Sequence, residues 1–195
     1  MPSNPLIPET PVPAKPAAEP VTWQIDPQHS AAHFSIRHMM ITNVHGEFKL
    51  TGSVMVDPKE FTNSKVEAVI DASTVDTREP ARDKHLRSAD FFNVEKFPSL
   101  TFSSTRINGS PNEGFDLSGN LTIHGVTRDV TFAVEPLSPE MKDPYGNLRM
   151  GTSAKAKIDR KDFGLRWNAT LETGGVVVGT QVAITLEIEL IKSTV

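Results

Sequence analysis

Gly46-Glu47-Phe48-Lys49-Leu50-Thr51-Gly52-Ser53-Val54-Met55-Val56 decides the fold. Phe48, Leu50, Gly52, Val54 and Val56 share one parity; Glu47, Lys49, Thr51, Ser53 and Met55 share the other. A β-strand sends successive side chains to opposite faces, so this segment has one dry face and one wet face. The same rhythm returns along the chain. It predicts strands at about 22–25, 31–38, 46–56, 65–71, 100–107, 115–124, 127–135, 150–158 and 181–191. That makes eight or nine strands, depending on whether the first is a full partner or a short lead-in. Many such strands with little helix between them read as an antiparallel sandwich or a closed barrel. A barrel of about eight strands is just wide enough to hold one small ligand.

Three stretches break the rhythm. Glu79 to Ala89 lacks alternation and is rich in helix formers, with Pro80 placed for a first turn. It predicts a short helix, with Asp83 and Arg87 paired on its surface. Met39 to Val44 and Asp162 to Gly179 read as irregular, as does the loop from Ser138 to Asn147. His124-Gly125-Val126 reads as a tight hairpin link.

The bulk properties exclude several functions. A chain of 195 residues suits one all-β domain. A net charge of −4 offers no basic field for nucleic acid. Without cysteine, disulfides and thiol-ligated metals are excluded. No apolar run approaches the roughly 18 residues of a membrane-spanning helix. Residues 1–20 hold seven of the fifteen prolines and are expected to form an extended tail without a core, leaving 21–195 as the folded domain. That tail lacks the cationic start and apolar core of a secretory leader. The expectation is therefore a cytoplasmic protein as written, or a periplasmic one if the chain is a trimmed piece.

Catalytic and metal readings are weak. Asp26, His29 and Ser30 invite a hydrolase, but adjacent His and Ser side chains diverge on an extended strand. The histidines show no metal-ligand spacing on a credible helix. No catalytic residue, metal or cofactor is expected. Arg37, Arg160, Asp162 and Arg166 fall beside irregular segments. They are expected to form carboxylate pairs that hold loops, with an Arg at a mouth meeting a phosphate or hydroxyl head group as the alternative.

A set of short motifs appears in order. Asp26-Pro27-Gln28-His29-Ser30, Phe34-Ser35-Ile36-Arg37-His38 and Val44-His45-Gly46-Glu47-Phe48 come first, then Thr77. Arg82-Asp83-Lys84-His85-Leu86-Arg87-Ser88-Ala89-Asp90-Phe91-Phe92 and Phe97-Pro98-Ser99-Leu100-Thr101-Phe102 follow. Gly119 to Thr127 and Arg160-Lys161-Asp162-Phe163-Gly164 complete the series. In this order and spacing the chain resembles the YceI-like family, the polyisoprenoid-binding, lipocalin-like proteins of bacteria, from about residue 21 to 192. The resemblance implies an all-β fold: an extended antiparallel eight-stranded lipocalin-like β-barrel with one short helix. It implies a long apolar pocket for a long-chain isoprenoid, a quinone-like lipid or another amphiphilic lipid, and no enzymatic activity. A homodimer is compatible with it.

On that expectation the candidate wall residues fall on the inward parity of successive strands. Phe34 and Ile36, Phe48 and Leu50, Phe102, then Leu117, Leu121, Phe132 and Leu186 are the strand candidates. Leu86, Phe91 and Phe92 come from the helical region, and Phe163, Leu165 and Trp167 from the late irregular stretch. Met39 and Met40 are expected to line or cover the mouth. Gly52 and Gly119, also at inward parity, mark either bends or room for a ligand. The leading function is non-enzymatic transport or storage of a long apolar lipid. Alternatives are a scavenger of diverse hydrophobic compounds under stress, and a filled structural or partner-binding barrel.

Overall fold

The computed structural model describes residues 19–170 and 176–193. Residues 1–18, and so nearly all of the proline-rich stretch, lie outside them. The strands are β1 (Val21–Ile25), β2 (Ala31–His38), β3 (Thr42–Phe48), β4 (Leu50–Val56), β5 (Lys65–Asp71), β6 (Ser99–Ser110), β7 (Gly114–Ile123), β8 (Val126–Val134), β9 (Met141–Lys142), β10 (Leu148–Asp159) and β11 (Val178–Lys192). One α-helix, α1 (Pro80–Arg87), lies between β5 and β6. No helix among the described residues is long and apolar enough to cross a membrane.

Eleven strand segments make eight staves of a closed antiparallel barrel. β1 and β2 are two halves of one bent stave, and β3 and β4 are two halves of the next. Trp23 faces Val54 across β1–β4, and Ala32 faces Phe48 across β2–β3. β11 pairs with both halves of the first stave and, from Gln181 to Ile191, with β10. β10 meets β8 through Ala154 and Lys155, which closes the ring. The first segment is thus a full partner, bonded on both sides.

The interruptions have local causes. Between β1 and β2 the backbone leaves the ladder at Asp26–Ser30. Ser30 Oγ repairs the gap by donating to Glu189 O and accepting from Glu189 N–H. The stretch 46–56, expected as one strand, is broken at Lys49, whose N–H turns aside to Thr74 Oγ1. The strand also begins four residues earlier, at Thr42, because β2 and β3 pair down to His38↔Thr42. The loop after β8 likewise contains a short strand, β9, hairpinned to the start of β10.

The β7–β8 turn follows from its residues. His124 and Gly125 both take positive φ, 52° and 74°, which matches the twist of a two-residue hairpin. Gly119 and Gly52 mark close approaches of neighbouring atoms. A Cβ on Gly119 would stand 2.5 Å from both Phe102 Cζ and Ser103 O, and one on Gly52 would stand 2.2 Å from Glu67 O. These glycines admit neighbouring protein atoms, so the space beside them is not ligand space.

Helix α1 forms where expected, with Glu79 capping Ala81 N–H and Pro80 in its first turn. The expected Asp83–Arg87 surface pair does not form. Asp83 is buried and accepts from Thr77 N–H and Thr77 Oγ1. Arg87 donates to Ser73 O and Val75 O. Both charges are spent on fastening the helix to the segment after β5, because buried backbone polar groups need partners more than exposed charges do.

One charged network ties the β1–β2 junction to the start of β10 and to β11. Arg149 donates to Asp26 Oδ2 at 2.7 Å, to Asp143 Oδ2 at 2.8 Å and to Glu189 Oε1. Burial opposes ionisation of Asp26, but hydrogen bonds from His29 and Arg149 outweigh it and lower its pKa from 3.8 to about 2. The unfolded chain therefore binds more protons between those values. This stabilisation is full above about pH 4 and is lost as the pH falls through about 2. Urea midpoints measured from pH 5 to 2 should fall steeply for the native protein. They should fall less steeply for Asp26→Asn; parallel curves would show that Asp26 does not contribute.

Candidate functional site

The barrel encloses a cavity of about 420 Å³ with an almost entirely apolar wall. Its hollowness shows in the strand patterns. Val66, Ala68 and Ile70 on β5 point inward, yet each stays half-buried while its neighbours are exposed. Val182, Ile184, Leu186 and Ile188 on β11 also line the cavity and stay half-buried. A packed core leaves few voids larger than a water molecule, so inward side chains that keep accessible surface face a void.

The candidates from the sequence distribute cleanly. Phe34 and Ile36 on β2, Phe48 and Leu50, Phe102, Leu117 and Leu121, Phe132 and Leu186 all line the cavity. So do Leu86, Phe91, Phe92, Phe163, Leu165 and Trp167. Met39 and Met40 do not. They form a tight turn with φ of 49° and 59°, and Met40 is 65% exposed. A hydrogen bond from Met39 N to Val177 O holds the turn against the rim rather than over the cavity.

Aromatic rings gather at both ends. At the end carrying α1, Trp167 stands edge-on to His85 with centroids 4.7 Å apart and lies 5.2 Å from Phe91. Deeper, Phe92 meets Phe48 edge-to-face at 5.4 Å. Phe91 is buried at 8% exposure, so it belongs to a packed plug. At the opposite end Phe61 and Phe115 pack edge-to-face at 5.0 Å. Phe61 belongs to the short 3₁₀ turn Phe61–Asn63, where strand parity says nothing, and the sequence reading missed it. It missed Phe115 and the β5 row as site residues too, although their parity carried the signal.

The arginines of the wall, Arg37, Arg82 and Arg160, lie toward the α1 end. Arg160 is 3% exposed and donates to four carbonyls: Gly179 O at 2.8 Å, Leu165 O at 2.6 Å, Trp167 O at 2.9 Å and Val178 O at 3.4 Å. The expected carboxylate pair is replaced by backbone acceptors among the described residues, since the loop folds its carbonyls around the cation. Burial lowers the pKa of this guanidinium, with Asp159 opposing. Arg37 is exposed and reaches Met40 O and Asn43 Oδ1. Asp162 and Arg166 are exposed. Arg82, on the inner face of α1, donates to Thr77 Oγ1 and Thr77 O.

The catalytic-looking trio is structural. His29 Nδ1 lies 2.8 Å from Asp26 Oδ2, while both Ser30 hydroxyl contacts go to the backbone of Glu189. Asp26, His29 and Glu189 present ligand atoms within 4.8 Å of one another, but Arg149 already bridges the two carboxylates. A cation is thus already part of that cluster.

A closed antiparallel barrel around one apolar cavity defines a binding protein of the lipocalin-like class, with the cavity as its site. The chain belongs to the YceI-like family: the YceI-like domain model matches residues 23–190. Protein YceI of Salmonella newport (strain SL254) is 39% identical over 161 residues, covering 82% of this chain and 81% of that one. A crystal structure of the Campylobacter jejuni YCEI protein is 29% identical and superposes with a TM-score of 0.65, covering 81% of this chain and 90% of that one. BcnA of Burkholderia cenocepacia shares the fold, at 20% identity and a TM-score of 0.72, over 85% of this chain and 98% of that one.

Proposed function

We propose that this protein carries or stores a long apolar lipid, of isoprenoid type, inside the barrel and performs no chemistry on it. The observation that carries the reading is the enclosed apolar cavity of about 420 Å³. Ligand sites commonly fall between about 300 and 1,000 Å³. Burying apolar surface gains about 0.8 kcal/mol per CH₂, so a five-carbon isoprene unit is worth roughly 3–4 kcal/mol before ordering costs. A few units suffice for tight binding. A structure described as a polyisoprenoid binding domain from Saccharophagus degradans has the same fold, with a TM-score of 0.61 at 17% identity, and supports the choice of ligand class.

Mass spectrometry of the organic extract from natively purified protein tests this. One recurring isoprenoid at near-stoichiometric amount is the expected result. A heterogeneous mixture favours the scavenger. An extract without lipid, from protein that also fails to bind added prenyl chains, overturns the proposal.

A further inference from the structure

The end of the cavity away from α1 offers a ligand only hydrocarbon. Val56, Val66, Ile107, Val134 and Leu137 line it. The two hydroxyls in that part of the wall are engaged with the backbone. Ser64 Oγ accepts from Asp57 N–H at 3.0 Å, and Thr152 Oγ1 donates to Glu135 O at 2.8 Å. The rings of Phe61 and Phe115 meet at that end, edge-to-face, with centroids 5.0 Å apart.

Both rings stand on fixed backbone. Phe61 belongs to a turn held by its own hydrogen bonds. Asp57 Oδ1 accepts from the N–H groups of Lys59 and Glu60, Glu60 Oε1 from Thr62 N–H, and Phe61 O from Ser64 N–H. Ser64 is 3% exposed, and its bond from Asp57 joins the end of β4 to the start of β5. Phe115 is paired on both sides, with Gly109 of β6 and Val134 of β8. The space that ends against these rings has a definite capacity. An apolar cavity of about 150 Å³ holds one benzene, so about 420 Å³ at the same density holds about 17 carbons, between three and four isoprene units.

We propose that Phe61 and Phe115 set the chain length of the ligand, so that the barrel encloses a prenyl chain of about 15–20 carbons whole and leaves longer chains partly outside. This rests on the reading that the cavity holds an isoprenoid, and the two fail differently in one experiment. Delipidated protein is incubated with phosphatidylcholine vesicles carrying equimolar farnesol, geranylgeraniol, hexaprenol and solanesol, which differ only in chain length. It is then reisolated and extracted for mass spectrometry. Carbons that the cavity cannot cover leave the bilayer for water, so farnesol and geranylgeraniol should be recovered at least about tenfold over the two longer prenols. Phe61→Ala and Phe115→Ala vacate space at the far end and should raise the ratio of hexaprenol to geranylgeraniol at least about fivefold. Phe61→Trp fills space there and should raise the ratio of farnesol to geranylgeraniol about threefold. Native protein that takes up hexaprenol and solanesol as readily as geranylgeraniol overturns the chain-length stop and leaves the lipid reading standing. A native preference for short chains that no variant shifts overturns the assignment to these two rings. If no prenol is recovered, both proposals fall. Phe61 is half-buried in a turn outside the strand ladder, so Phe61→Trp reads the ratio even if the alanine variants do not fold.

Discussion

Arg160→Met should destabilise the barrel by about 3–5 kcal/mol, because it strips the donor from several backbone carbonyls at once. The side chain is 3% exposed and holds the carbonyls of Leu165, Trp167, Val178 and Gly179. Methionine keeps much of the bulk but offers no donor, so buried carbonyls lose their partners at about 1–3 kcal/mol each where water cannot replace them. The damage should be local first. Arg160 fastens the segment after β10 to the start of β11, so hydrogen exchange should rise at Gly164–Trp167 and Val178–Gly179 before the rest of the barrel opens. Urea denaturation gives the stability change and exchange gives its location. A loss below about 1 kcal/mol would show that these carbonyls find water or that the loop needs no staple.

Ile184→Trp should leave the empty barrel nearly as stable as the native protein and weaken long-chain binding by about tenfold or more. Ile184 faces the cavity from the middle of β11, between Phe34 of β2 and Ala156 of β10, and is only half-buried. The indole enters space that a lipid would occupy. Leu121→Trp provides the contrast. Leu121 also borders the cavity but is 7% exposed within the packed cluster around Phe102 and Phe132. Enlarging it overpacks that cluster and should cost about 1–3 kcal/mol. Asn120→Trp, on the exposed outer face of β7, should alter neither property greatly. All three variants should be delipidated before melting, because a bound ligand raises apparent stability by itself. If Ile184→Trp melts far below the native protein and its folded fraction binds lipid normally, the region around Ile184 is solid.

Strand positions and inward faces were legible along most of the chain because alternation is a covalent property of extended backbone, independent of what the strand packs against. Phe115 to Ile123 and Val182 to Leu190 could be assigned to the interior from the sequence for that reason. Helix α1 was legible from the loss of that rhythm and from Pro80. Wherever the chain leaves regular structure, parity is silent. Met39 and Met40 are apolar and adjacent to a strand, yet a left-handed turn puts them outside the cavity. Phe61 follows a strand in the same way and ends inside, opposite Phe115.

The partners of the charged residues were decided by the tertiary structure alone. Asp83 and Arg87 have the spacing of a helical ion pair, but the segment after β5 presents Thr77 to one and the carbonyls of Ser73 and Val75 to the other. Arg160 is flanked by acids in sequence, yet its guanidinium reaches carbonyls up to nineteen positions away. Asp26 meets Arg149 across 123 positions only because the barrel closes. Local geometry determined which residues face inward; whether they meet one another or leave a void between them depends on how eight staves close into a ring. That closure is a property of long-range pairing, and it makes the same inward parity a packed cluster at Leu121 and a cavity wall at Ile184.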